Sequence, residues 1–342
     1  MPAVVVPIEP LFDTDAAAAM VDLCERFGRY RMYLEHERLE TDIGAGLAQR
    51  QDALQNFLRT GGLAGAREPV SALAVRTSYF REEYAYGRDA RISGIEPFLH
   101  HPGFLDAARA IHGRPVVEPA IAYANLMILG QELAVHTDVP EFRGANRKVI
   151  PQWLLVVMKH SGLFDTYRMP IATGIAWFHD CDGGELAYWP DGADGSVARH
   201  AVRYNTAMVL DTDTVFHGVD RIADVAPDAL PPLRPGMTLD YDGARAWTVR
   251  DAQATEIARY DWAELRFSVS WKAYCFRDER ECDTWRDHAD DLTLDVILDH
   301  LVDDLCERGR VDDRNVTRDG ALGALLIDEY IAFPVSTARS TG

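Results

Sequence analysis

The chain has 342 residues, 47% of them hydrophobic and 26% charged, and its 54 acidic side chains outweigh 35 basic ones for a formal net charge of −19. This is globular composition, with enough apolar material for a substantial core. Such a charge excludes nucleic acid and an anionic membrane as partners over most of the surface, while a local basic pocket for a small anion stays compatible with it.

The five cysteines, Cys24, Cys181, Cys275, Cys282 and Cys306, are odd in number and irregularly spaced, with no C-x-x-C pair. That argues against a disulfide framework or a zinc cluster and for a reducing, cytoplasmic setting. The opening Met1-Pro2-Ala3-Val4-Val5-Val6-Pro7 has neither the basic start nor the long apolar run of a signal peptide. No stretch is apolar for long enough to span a bilayer.

A first helix is predicted from about Asp15 to Phe27, capped by Thr14 or Asp15 and stopped by Gly28. A second helical pattern runs over 44–64 and ends at Gly61-Gly62. A third covers Gly103 to Ile111, closed by Gly113-Arg114-Pro115. From Val116 the pattern changes to short runs rich in Val, Ile, Tyr and Trp, punctuated by Gly, Asp and Pro. These are Ile121–Leu129, Val149–Met158, Ile171–Phe178, Glu185–Trp189, Ala201–Leu210 and Thr214–Val219. They predict an antiparallel β-sandwich or barrel. Asp191-Gly192 and Asp194-Gly195 supply turns between two of them.

A Pro-rich loop from Ala226 to Gly236 opens an insertion, with Met237–Tyr241 and Ala246–Val249 as a hairpin, before the strand Leu265–Phe276. The chain then turns acidic and helical. Leu292, Val296, Ile297, Val302 and Leu305 form an apolar stripe, and a last helix fits Ala321–Ile331. The fold class expected is mainly β with flanking helices. One β domain with N-terminal helices spans 1–280, and a helical extension, 281–342, packs on it.

His136-Thr137-Asp138 sets an imidazole and a carboxylate two residues apart, so on a strand both point to one face. His217, in the strand-like Val215-Phe216-His217-Gly218-Val219, supplies a third ligand. Two histidines and one carboxylate on one side of a metal leave three positions open, the arrangement of non-haem Fe(II) oxygenases. A second H-x-D, His288-Ala289-Asp290, lies in an acidic helical stretch and reads as solvated surface.

Downstream come Gly183-Gly184-Glu185-Leu186, then His217-Gly218-Val219, then Arg266-Phe267-Ser268. With H-x-D ahead of them, and in this order, these segments resemble the 2-oxoglutarate/Fe(II)-dependent dioxygenase superfamily, in its prolyl-hydroxylase-like and small-molecule hydroxylase branches. The resemblance covers residues 97–277. It implies a double-stranded β-helix, a jelly-roll or cupin-like barrel with the metal at its open end. His136, Asp138 and His217 would then hold Fe(II), and Arg266 would grip the distal carboxylate of 2-oxoglutarate with help from Ser268. Tyr123 and Asn125, on the strand leading towards His136, would face the same co-substrate.

The implied reaction consumes O2 and 2-oxoglutarate, releases succinate and CO2, and oxidises a C–H bond of a small-molecule substrate. A carboxylate at 138 argues for hydroxylation, desaturation or another oxidation rather than halogenation, because halogenating relatives carry a small residue there. The chain departs from the family in its 222–260 insertion, which separates His217 from Arg266. Arg221, four residues after His217 and of the same strand parity, is the rival for the keto acid. Arg143, Arg147 and Lys148 form a basic cluster suited to an anionic substrate at the mouth of the site. The insertion and the acidic tail read as caps over it.

Two other readings stay open. One is a cupin-like zinc or manganese enzyme that does not use 2-oxoglutarate, against which the R-x-S strand argues. The other is an inactive barrel serving as a binding module, against which three intact ligands argue. Oligomeric state and the primary substrate are not specified by these residues.

Overall fold

The computed structural model describes residues 3–33, 41–60, 78–87, 89–223, 225 and 230–334. The predicted end of the second helix at Gly61-Gly62 and the start of the Pro-rich loop lie outside them. In chain order the strands are β1 (Val5–Ile8), β2 (Arg29–Tyr33), β3 (Tyr79–Tyr86), β4 (Asp89–Ala90), β5 (Val116–Ile128) and β6 (Leu133–His136). Next come β7 (Glu141–Phe142), β8 (Arg168–Met169), β9 (Ile171–Trp177), β10 (Leu186–Trp189), β11 (Ala198–His200) and β12 (Thr206–Leu210). The last are β13 (Phe216–Val219), β14 (Thr238–Tyr241), β15 (Ala246–Arg250), β16 (Glu256–Asp261) and β17 (Leu265–Phe276).

Two antiparallel sheets form a double-stranded β-helix. The major sheet runs β1-β12-β9-β17-β5-β3-β2-β14-β15-β16, with β4 paired to β3, and the minor sheet runs β11-β10-β13-β6. Alternation decides what each face does. On β17, Phe267, Val269 and Trp271 point away from the minor sheet into a core shared with Met20, Leu23, Phe98 and Phe104 of the N-terminal helices. Phe104 stacks on Trp271 with ring centroids 5.1 Å apart, and the Trp271 indole donates to the Leu99 carbonyl at 2.7 Å. The other face of β17 carries Arg266, Ser268 and Ser270 into the space between the sheets.

The minor sheet is backed in the same way. Val135, Ala187, Trp189 and Phe216 pack against the helices Gln152–Ser161, Leu294–Glu307 and Gly320–Tyr330. The acidic tail therefore covers the back of the minor sheet, and none of its described residues lines the space between the sheets. Within its stripe Leu292, Ile297, Val302 and Leu305 are buried, but Val296 is 41% exposed and is not a core residue.

Several expectations fail for identifiable reasons. Val149–Met158 was expected as a strand and is the start of a helix, Gln152–Ser161, ended by Gly162 in the left-handed region. Every residue from Gln152 to Met158 is buried, so the run carries no periodicity to tell helix from strand. The first helix, Thr14–Phe27, is capped by Asp13, whose carboxylate accepts from the Ala16 N–H at 2.8 Å, rather than by Thr14 or Asp15. Before residue 116 the sequence predicted helices and no strand was identified, yet these residues supply β1 to β4 of the major sheet. The expected hairpin of the insertion is present as β14 and β15, but a third strand, β16, joins it, and the three extend that sheet through the β2–β14 pairing instead of capping the site. Among the described residues no helix is long and apolar enough to cross a membrane.

Candidate active site

His136 ends β6, and His217 stands directly opposite it on β13. Cross-strand pairing thus sets the two imidazoles side by side, ring centroids 4.4 Å apart. Asp138 follows just beyond the strand, its N–H held by the Thr212 carbonyl at 2.8 Å. The ligand atoms of the three residues all lie within 4.8 Å of one another, and they are the only such group found among the described residues. Asp138 Oδ1 is 3.7 Å from His136 Nε2 and 3.9 Å from His217 Nε2.

The ring orientations suit a metal. His136 Nδ1 lies 2.7 Å from the Ala134 carbonyl and His217 Nδ1 2.9 Å from the Val215 carbonyl. A carbonyl only accepts, so each Nδ1 carries the hydrogen and each Nε2 keeps its lone pair towards Asp138. Burial, with the neighbouring His136, pushes the His217 imidazole down to about 4, so it is neutral at neutral pH as a ligand must be. Burial would raise the Asp138 carboxyl, but the Lys272 ammonium and the two imidazoles outweigh it and hold it well below the usual carboxylate range. Two neutral imidazole nitrogens and one carboxylate oxygen, converging on one point, fit Fe(II) and related divalent ions.

The same cleft is lined by Tyr123, Asn125, Arg266 and Ser268. Asn125 stands opposite Ser268 and Tyr123 opposite Ser270 in the β5–β17 register. Parity with His136 is irrelevant to them, because β5 and β6 belong to different sheets. The buried Asn125 Oδ1 meets no donor, and its Nδ2 reaches Ser270 Oγ at 3.4 Å. One face of the Tyr123 ring is covered by the Arg81 guanidinium, 3.7 Å from its centroid.

Arg266 is 2% exposed. Its Nε donates to the Gly184 carbonyl at 2.8 Å and its Nη1 to Ser268 Oγ at 3.1 Å. Burial pushes the guanidinium down to about 10, and among the described residues no carboxylate forms an ion pair with it. A buried cation with this unmet demand fits a ligand carboxylate. Arg221 is placed elsewhere: its Nε is 3.9 Å from Glu132 Oε2, and it does not line the cleft.

Other candidates fall away. Arg143 was expected at the mouth of the site, but it is buried and holds both oxygens of Asp290, at 2.7 and 2.8 Å, and the Thr166 carbonyl. The second H-x-D is therefore a partner in that ion pair through Asp290, while His288 is a surface residue facing Asp291. Sequence reasoning placed Lys272 with Arg266, Ser268 and Ser270 on the cavity face of their strand but missed its contact with Asp138. It also missed Tyr79, Thr173, Ile175 and Leu186, which line the cleft from other strands.

No sequence-family model matches the chain, and no curated protein matches it. Among solved structures the chain is similar to a Pseudomonas putida prolyl-4-hydroxylase, at 11% identity and a TM-score of 0.39, over 80% of this chain and 93% of that one. It is similar to the non-haem α-ketoglutarate-dependent epimerase SnoN from nogalamycin biosynthesis, at 10% identity and a TM-score of 0.39, over 79% and 78% of the two chains. It is also similar to HygX from Streptomyces hygroscopicus, solved with nickel, 2-oxoglutarate and hygromycin B, at 10% identity and a TM-score of 0.39, over 79% and 82%.

Proposed function

We propose that the chain is an Fe(II)/2-oxoglutarate-dependent oxygenase that hydroxylates a C–H bond of a small molecule. The observation that carries this reading is one cleft holding both a His-Asp-His ligand set and a buried arginine without a carboxylate partner among the described residues. A metal site alone suits many reactions. A cation placed on the opposite wall, with a serine beside it, adds the grip a dicarboxylate co-substrate requires.

In this reading His136, Asp138 and His217 hold the iron, and Arg266 with Ser268 binds the distal carboxylate of 2-oxoglutarate. Bound iron would supply the oxidising power from O2, with the keto acid converted to succinate and CO2 as the substrate C–H is oxidised. The protein contributes fixed geometry. The Ala134 and Val215 carbonyls hold both imidazole tautomers, and the Gly184 carbonyl fixes the Arg266 fork. Asn125 and Tyr123 line the wall between metal and arginine, where they orient the keto acid. Tyr79, Ile175 and Leu186 provide apolar contact for the rest of the ligand and limit water around it. The carboxylate at 138 leaves no protein-ligand position vacant for a halide, which favours hydroxylation.

The test is succinate release from the full chain supplied with Fe(II), 2-oxoglutarate, ascorbate and O2. Metal uptake without 2-oxoglutarate binding would instead mark a cupin-like enzyme of another reaction class. Neither would mark a binding barrel.

A further inference from the structure

The two oxygens of Asp138 meet different partners. Oδ1 faces the two imidazoles, whereas Oδ2 accepts from Lys272 Nζ at 2.7 Å. Lys272 is 8% exposed and sits on β17, six residues beyond Arg266 and on the same face. Its Nζ also donates to Thr173 Oγ1 at 3.2 Å. Thr173 Oγ1 lies 2.6 Å from Thr212 Oγ1. Thr212 in turn accepts the Asp138 N–H through its carbonyl at 2.8 Å. The bonds close a ring, from the Asp138 backbone through Thr212, Thr173 and Lys272 to the Asp138 side chain.

We propose that Lys272 is a positioning residue of the metal centre: its ammonium, anchored by Thr173, holds Oδ2 so that Asp138 presents Oδ1 to the metal. This rests on reading His136, Asp138 and His217 as a metal site, and adds to it. A carboxylate on a short side chain rotates about χ2 at little cost, since that torsion is broad. Without the ammonium, nothing on the side-chain half of the ring fixes the angle of the carboxylate plane, and so the aim of the oxygen that faces the imidazoles. The backbone half, through Thr212, fixes only where the residue stands.

The sign of the effect distinguishes positioning from mere proximity. An ammonium near a divalent cation repels it. If Lys272 were a bystander charge, removing it would leave metal affinity unchanged or tighten it. If Lys272 orients the ligand, removing it weakens the affinity, by roughly 10–100-fold as for other outer-shell partners of metal ligands.

The experiment is a Co(II) titration of the full chain followed by d–d absorbance, with circular dichroism and melting of the metal-free proteins as the check on folding. Lys272→Met is expected to bind Co(II) roughly 10–100-fold more weakly than wild type and to show an altered band. Lys272→Arg, which keeps a donor to Oδ2, is expected to recover most of the loss. Thr173→Val keeps the charge and removes the second anchor, and is expected to weaken binding less than Lys272→Met does. It carries the test should Lys272→Met not fold. Equal or tighter binding in the folded Lys272→Met protein, or in Thr173→Val if only that folds, overturns the proposal. Wild-type protein that takes up no Co(II), Mn(II) or Fe(II) overturns the metal-centre reading itself, so the two failures are distinguishable.

Discussion

Gly184 leaves the room that the Arg266 side chain occupies. The Arg266 Nε donates to the Gly184 carbonyl at 2.8 Å, and a Cβ at 184 would stand 2.8 Å from Arg266 Cδ and 3.1 Å from Ile222 Cγ1. Gly184 also has φ +66°, in the left-handed region that disfavours a side chain. Gly184→Ala is therefore expected to cost about 1–2 kcal/mol of stability and to displace the guanidinium. The keto acid should bind more weakly as a result. Isothermal titration with 2-oxoglutarate on metal-loaded protein checks this; unchanged affinity would mean Arg266 does not hold the co-substrate from its present place.

The metal prediction compares the two H-x-D motifs. Wild-type protein should bind one Fe(II) per chain. His136→Ala, Asp138→Ala and His217→Ala should each lose more affinity than the roughly 10–100-fold that outer-shell partners cost. His288→Ala should leave metal content unchanged, because that side chain is 74% exposed and faces Asp291. Anaerobic iron analysis after desalting reads all four. Retention of iron in His217→Ala would sink the assignment.

For the keto acid, Arg266→Ala should weaken 2-oxoglutarate by roughly 2–5 kcal/mol, the range for truncating one partner of a buried charge pair. Iron content should be little affected. Arg221→Ala should change keto-acid binding only slightly, since Arg221 neighbours Glu132 and lies off the cleft wall. An anaerobic titration of Fe(II)-loaded protein, following the charge-transfer absorbance, separates the two arginines. Loss of binding in Arg221→Ala with retention in Arg266→Ala would reverse the roles.

The tail should behave as part of the core. Leu301 and Leu326 are fully buried among residues of the minor sheet's outer face and the helix Gln152–Ser161. Leu301→Ala is expected to destabilise by about 2–5 kcal/mol. Deleting residues 283–342 should expose Val135, Trp189 and Phe216 and cause aggregation. A soluble, fully active truncation would show that the tail is an appendage.

Stability should fall as pH rises through neutrality. Asp213 is fully buried, and among the described residues neither carboxylate oxygen has a hydrogen-bond partner, the Arg168 guanidinium standing 3.7 Å off. Burial, reinforced by Asp211, pushes its carboxyl up to about 7, while Arg168 spends its closest contacts, 2.8 and 2.9 Å, on Asp211. The native state then keeps a proton that the unfolded chain releases near the ordinary 3.8. Its stabilising contribution is complete below that value and is lost as pH rises through about 7. Asp213→Asn removes this dependence. Urea denaturation at pH 5 and pH 8 should show the variant gaining on wild type by on the order of a few kcal/mol at the higher pH. A gap that does not widen with pH would mean Asp213 is ionised in the native protein.

The sequence by itself determined which three side chains converge and which strand faces them. His136, Asp138 and His217 were legible because two ligands in an H-x-D and a third in H-G-V are a local pattern, independent of how the strands pair. Arg266, Ser268 and the packing face of Phe267, Val269 and Trp271 were legible because apolar and polar residues alternate strictly over 265–272. Turns and helix stops at Gly28 and Gly113 were legible for the same local reason.

Only the tertiary structure decided the rest. The fully buried run Gln152–Met158 has no polar side to betray its period, so its helix follows from the space between the minor sheet and the tail helices. The strands before residue 116 join the sheet through partners far along the chain, such as β1 with β12 and β2 with β14. Pairing of that range leaves no local trace. Arg143 and Asp290, 147 residues apart, looked like a basic mouth and a solvated surface until the fold set them against each other. Lys272 and Asp138, 134 residues apart, carry no shared motif. Their contact exists because β17 crosses the floor of the cleft from Arg266 to the metal ligands, a fact of sheet order rather than of spacing.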